Sequence, residues 1–161
     1  MIILIPALSV FFAVFILVSS YKLNSQYRES FEKECDQKLK MTEFYDVLIR
    51  WIALYQEDRK ISKWITGRGY QRIGIYGMRE LGILLYNELA KERFEKCVAI
   101  DKNAENLNLN MDMEVHSPTE ELSDLELIIV AAPHYFEEIR KSLESVVRAD
   151  VVSIEDIIFE M

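Results

Sequence analysis

The chain has 161 residues, half of them hydrophobic, 29% charged and 11% aromatic. With only three prolines and five glycines, this composition excludes intrinsic disorder and collagen-like or low-complexity chains. Nineteen basic against 27 acidic residues give a net charge of −8, which argues against nucleic acid as a partner, because sequence-independent binding relies on Lys and Arg neutralising phosphates.

Sixteen of the first 20 residues are apolar, and no charged side chain precedes Lys22. A helix of that length reaches about 30 Å, one bilayer core. A secretory signal would carry a basic start and a shorter apolar run, so residues 1–20 read as an uncleaved transmembrane anchor with the lipid bilayer as partner. Lys22, Arg28, Lys33, Lys38 and Lys40 follow the span. By the positive-inside rule, the expected localisation is the cell membrane, single-pass, with the carboxyl-terminal domain cytoplasmic. Cys35 and Cys97, 62 residues apart, have no metal-ligand or redox-motif spacing and read as structural thiols.

Residues 21–58 contain no Gly or Pro and read as a connecting amphipathic helix. Met41, Phe44, Leu48, Trp51 and Tyr55 step by three and four, a short heptad seam. Two readings stay open: the helix lies on its own domain, or the seam pairs with a second copy as a homodimer or with a membrane glycosyltransferase. Ile61, Trp64 and Ile65 then make one more amphipathic turn that Gly67 ends. The folded domain is expected over residues 59–161.

All five glycines, at 67, 69, 74, 77 and 82, fall in this next stretch. Arg72–Tyr76 reads as a buried strand. Gly77-Met78-Arg79-Glu80-Leu81-Gly82 follows, then a helix with Leu81, Leu84, Leu85, Tyr86 and Leu89 on one broad face, then a second strand Cys97–Ile100 ending at Asp101. Strand, glycine turn, helix, strand and acid make the opening of a doubly wound nucleotide-binding fold. Gly77 has the place of the tight turn and Gly82 that of close helix-to-strand packing. Arg79 stands where the middle glycine of the fingerprint lets a pyrophosphate approach bare backbone; its side chain obstructs that path, or its guanidinium binds phosphate in another pose. Glu80 already satisfies the helix dipole and repels an anion. Asp101 lies 24 residues after Gly77, near the offset of an acid that reads a ribose; the alternative is a polar strand-end turn.

Further on, Asn103–Asp112 reads as a loop and Met113–Val115 as a short third strand. Ser117-Pro118-Thr119-Glu120 has the pattern of a helix start with a capping box. Residues 125–132 form the most apolar strand, followed by Pro133-His134 and a helix presenting Phe136, Ile139, Leu143, Val146 and Val147. Val151, Val152 and Ile154 make a last strand. The fold class is therefore α/β, a Rossmann-like doubly wound parallel sheet of about five strands in the order 3-2-1-4-5. Ligands of such sheets lie beyond the carboxyl ends of the strands, which gathers Gly77, Met78, Arg79, Gly82, Asp101, Ala132, Pro133 and His134 around one crevice. His134 reads as a helix-start residue at its rim, Tyr76 and Tyr86 as packing residues. No catalytic or metal-binding set is found.

Residues 48–158, above all Gly69–Gly82, Ala99–Asn103, Ile128–Ala132 and Val152–Ile158, resemble the Rossmann-like domains of bacterial surface-polysaccharide proteins, which accompany glycosyltransferases, nucleotide-sugar dehydratases and sugar acetyltransferases. The resemblance implies a nucleotide-binding loop on Gly77, Arg79 and Gly82 with Asp101 at the ribose, and a nucleotide-sugar or NAD(P) as ligand; the catalytic chemistry of those relatives belongs to other domains. The expected function is a membrane-anchored module that binds a nucleotide or nucleotide-sugar in support of polysaccharide biosynthesis. The alternatives are a membrane-tethered scaffold with a vestigial pocket and a minimal NAD(P)-dependent sugar-modifying enzyme.

Overall fold

The structure, a computed structural model, describes residues 4–106, 113–120 and 122–161 and, within the first helix, the side chains of residues 12, 13 and 15 onward. The chain divides into two compact units, residues 1–42 and 43–161. A single helix, α1 (Leu4–Gln56), supplies all the described structure of the first unit and opens the second.

In the first unit, every described side chain from residue 12 to 39 is exposed, including Phe12, Phe15, Leu17, Tyr27 and Phe31. Its charged residues pair along the helix, Glu29 with Lys33 at 2.7 Å and Glu34 with Lys38 at 3.3 Å, with the acid on the amino-terminal side as i,i+4 helix pairs prefer. Cys35 is exposed, so its expected structural role is not seen. The expected anchor over residues 1–20 lies partly outside the described residues, and among the described residues no helix is long and apolar enough to cross a membrane.

The second unit is a three-layer α/β domain. It runs from the last turns of α1 through α2 (Ile61–Gly67), β1 (Arg72–Tyr76), α3 (Glu80–Leu89), β2 (Lys96–Ile100), β3 (Val115–His116), β4 (Leu127–Val130), α4 (Phe136–Leu143) and β5 (Asp150–Ser153) to α5 (Ile154–Glu160). All neighbouring strands are parallel and their order is β3-β2-β1-β4-β5, the order and five-strand α/β sheet expected from the alternation of strands and helices.

Side-chain alternation divides the core. Ile73, Ile75, Leu127 and Ile129 face one side, where they join Val47, Trp51 and Leu54 of α1 with Leu81, Leu85 and Leu89 of α3. Tyr76, Ile128 and Val130 face the other, against Leu122, Leu125 and the Ile139 and Leu143 of α4. The four residues of β4 are fully buried, as a central parallel strand covered on both faces requires.

Three expectations shift. The residues of α1 that enter the core are Val47, Trp51 and Leu54, whereas Met41 and Tyr55 of the predicted seam stay exposed. The third strand is Val115–His116. The Ser117 capping box does close, Ser117 N–H donating to Glu120 Oε1 at 2.8 Å and Thr119 N–H to Ser117 Oγ at 3.4 Å, but no helix follows it among the described residues. Leu122 and Leu125 must both reach the core before β4 begins, which leaves too little chain for a helix, so the box caps only a turn.

Candidate functional site

The carboxyl edge of the sheet begins where β1 ends. Gly77 takes φ +89°, a left-handed conformation that favours glycine, and its N–H donates to Ile100 O at 2.8 Å, tying the turn to the end of β2. A Cβ on Gly82 would lie 2.1 Å from Gly77 O, so α3 can pack this closely onto the turn only with hydrogen there. The two glycines thus have the positions that the sequence pattern assigns to tight turn and close packing.

Between them, Met78 is buried and its N–H donates to Asp101 Oδ2 at 3.1 Å. The other oxygen of Asp101 accepts from Asn103 N–H at 2.8 Å. Asp101 therefore braces the glycine loop and closes its own strand-end turn, combining the two alternatives read from its position: it stands beneath the loop, and its carboxylate is spent on backbone. Arg79 precedes the first residue of α3 in extended conformation without capping the helix through its side chain; it is exposed and makes no ion pair with any described residue. Glu80 occupies the first turn of α3, where its charge suits the helix dipole.

Across the switch point between β1 and β4, Ala132, Pro133 and His134 follow the end of β4, with Pro133–Tyr135 forming a short 3₁₀ turn. Ala131 N–H donates to Tyr76 O at 2.8 Å and extends the ladder, and Ala132 is the nearest neighbour a Cβ on Gly77 would meet, at 3.7 Å. The loop after β1 and the turn after β4 thus stand side by side, as the doubly wound topology requires. His134 is not a free helix-start residue: its Nδ1 donates to Glu43 Oε2 at 2.9 Å, both side chains being largely covered. The last turns of α1 therefore reach the turn after β4.

Sequence reasoning missed three groups here. Glu43 and His134 are 91 residues apart, so no local pattern joins them. Glu155, at the start of α5, is a half-buried acid whose carboxyl is raised by burial and then by the charges of Glu43, Asp156 and Asp46. Tyr76 packs as expected, but its hydroxyl is buried without a hydrogen-bond partner among the described residues; burial, then Asp101 and Glu138, push the phenol up and keep it protonated.

Away from the edge, Glu88 of α3 is a buried carboxylate. Its Oε2 accepts from Trp51 Nε1 at 3.1 Å and its Oε1 from Ser62 N–H at 2.9 Å, joining α1, α2 and α3. Beside it, Leu48, Ile52, Tyr55 and Leu84 line a mainly apolar groove of about 450 Å³. Cys97 lies in β2, its thiol pushed up to about 11 by burial, which suits a structural residue. No group of His, Cys, Asp and Glu able to hold a metal occurs among the described residues.

Compared with known proteins, the chain matches no family model, no curated protein and no solved structure.

Proposed function

We propose that this protein is a membrane-anchored Rossmann-like module that binds a nucleotide or nucleotide-sugar at the crevice between residues 77–82 and 132–134 and serves surface-polysaccharide biosynthesis from the cytoplasmic face. One observation carries the binding reading: the tight turn at Gly77, with Gly82 packed against its carbonyl, stands at the switch point of a parallel sheet ordered β3-β2-β1-β4-β5. Open α/β sheets bind ligands at that point. The anchor and its orientation rest on the sequence, on 16 apolar residues in the first 20 and five basic residues following them. The pathway rests on the resemblance of residues 69–82, 99–103, 128–132 and 152–158 to domains of polysaccharide proteins.

The test is a thermal-shift panel on the full-length chain in detergent with NAD⁺, NADP⁺, UDP-sugars, dTDP-sugars and coenzyme A. A ligand at 100 times its dissociation constant stabilises the protein by about 2.7 kcal/mol. A shift with a nucleotide or nucleotide-sugar supports the module; silence across the panel refutes it.

A second reading, a scaffold with a vestigial pocket, is favoured by the engagement of the Met78 N–H and of both Asp101 oxygens within the protein itself. In that reading the chain pairs with a second copy through α1. Sedimentation of the full-length chain in detergent tests it: the scaffold predicts a dimer that Leu48→Glu dissociates, and a wild-type monomer contradicts it.

A further inference from the structure

The carboxyl edge holds one donor that neither the core nor the loop uses. Tyr76 is the last residue of β1 and only 4% exposed, its ring grouped with Ile100 of β2 and Val130 of β4. Its hydroxyl is buried and has no partner among the described residues, an arrangement that forfeits the hydration of the group with nothing in return. The carboxylates that act on it are Asp101, just past β2, and Glu138, in the first turn of α4. Both stand at the carboxyl edge, so the hydroxyl points to the crevice and away from the middle of the sheet.

The donors on which a dinucleotide site depends are already engaged. Gly77 N–H is bound to Ile100 O, Met78 N–H to Asp101, and the second Asp101 oxygen to Asn103. A pyrophosphate seated on these amides would have to displace them, and a ribose would find the acid occupied. Arg79, by contrast, has no described acid to pair with, and three residues of chain keep its Cα within about 11 Å of that of Tyr76. A guanidinium is suited to phosphate oxygens, and a protonated phenol is suited to a neutral acceptor.

We infer that the Tyr76 hydroxyl is the inner hydrogen-bond donor of the crevice, taking a neutral acceptor oxygen of a sugar or base while Arg79, in place of the loop backbone, holds the phosphate. The class of ligand that fits is a nucleoside monophosphate or nucleotide-sugar, and NAD(P) is disfavoured. This rests on the crevice being the nucleotide site proposed above.

The experiment is a binding titration of the full-length chain in detergent with uridine 5′-monophosphate, UDP-glucose and NAD⁺, followed by melting temperature, for wild type, Tyr76→Phe and Arg79→Ala. The expected result is that one of the uridine ligands raises the melting temperature of wild type and NAD⁺ does not. Tyr76→Phe should melt at or above wild type without ligand, since it deletes an unpaired group, yet bind the uridine ligand about ten-fold more weakly, the worth of one hydrogen bond. Arg79→Ala, an exposed change that leaves the core intact, should weaken the same ligand.

If the uridine ligand binds Tyr76→Phe as tightly as wild type, or NAD⁺ binds best, the inference falls while the nucleotide-site reading stands. A lowered melting temperature of unliganded Tyr76→Phe also overturns it, because the hydroxyl is then satisfied in the free protein. If no nucleotide shifts wild type, the site reading fails and takes the inference with it.

Discussion

At the amino edge of the sheet, Arg72 donates to Glu126 at 2.5 Å, to Glu95 at 3.1 Å and to the carbonyl of Asp124 at 2.8 Å; Lys96 pairs with Asp124 at 2.7 Å, and Tyr70 donates to Asp150 at 2.5 Å. At the carboxyl edge, two or more strand lengths of chain away, the Tyr76 hydroxyl has no partner among the described residues, Arg79 has no described acid, and Glu155 sits half-buried near other carboxylates. One edge is closed by mutual neutralisation. The other keeps groups unspent, and in an α/β sheet that is the edge on which ligands are bound.

The contrast can be broken most severely at Gly82. Gly82→Ala sets a methyl against the carbonyl of Gly77 at 2.1 Å, backbone against which nothing flexible can give, and should cost more than about 3 kcal/mol by urea denaturation. Gly67→Ala, with nothing within 4 Å, should stay within about 0.5 kcal/mol of wild type. Next in size is Glu88→Ala, which leaves the buried Trp51 indole and the Ser62 N–H unpaired; about 3 kcal/mol is expected in the same measurement, and Glu88→Gln should recover part of it.

The smallest effects sharpen the contrast through pH. Hydrogen bonds from the Gln71 and Arg72 backbone hold the Glu126 carboxyl below its ordinary 4.5, and the bond from Lys96 holds Asp124 below 3.8. Stability from these amino-edge acids is present above those ordinary values and is lost as pH falls through the depressed ones. Glu155 at the carboxyl edge runs the other way: raised above 4.5 by burial, it favours the folded state below that value, and the contribution is lost as pH rises through the raised one. In melting temperature against pH, Glu126→Gln should flatten the acid limb and Glu155→Gln the limb above pH 4.5.

How much of this was legible in the sequence follows from the range of each signal. Gly77 and Gly82 act through backbone within five residues of one another, and their spacing alone conveyed the turn. The strand order followed because LIIV at 127–130 and RIGIY at 72–76 are apolar enough to be covered on both faces, which fixes helices between parallel strands. The Ser117 box misled because its hydrogen bonds are local while the fate of the next residues is decided by Leu122 and Leu125 in the core. Glu88 was hidden in a helical pattern read for its leucines, and Glu43 with His134 depends on where α1 meets the sheet. The orphan hydroxyl of Tyr76 is a property of what does not reach it, which no sequence pattern encodes.

The claim that the carboxyl edge is the binding edge is tested most directly by mapping amide resonances of the ¹⁵N-labelled full-length chain in detergent during titration with UDP-glucose. The account predicts that the shifted amides cluster at Gly77, Arg79, Asp101 and His134. Shifts centred on Arg72, Lys96 and Glu126, or on the groove of Leu48, Ile52 and Leu84, would contradict it.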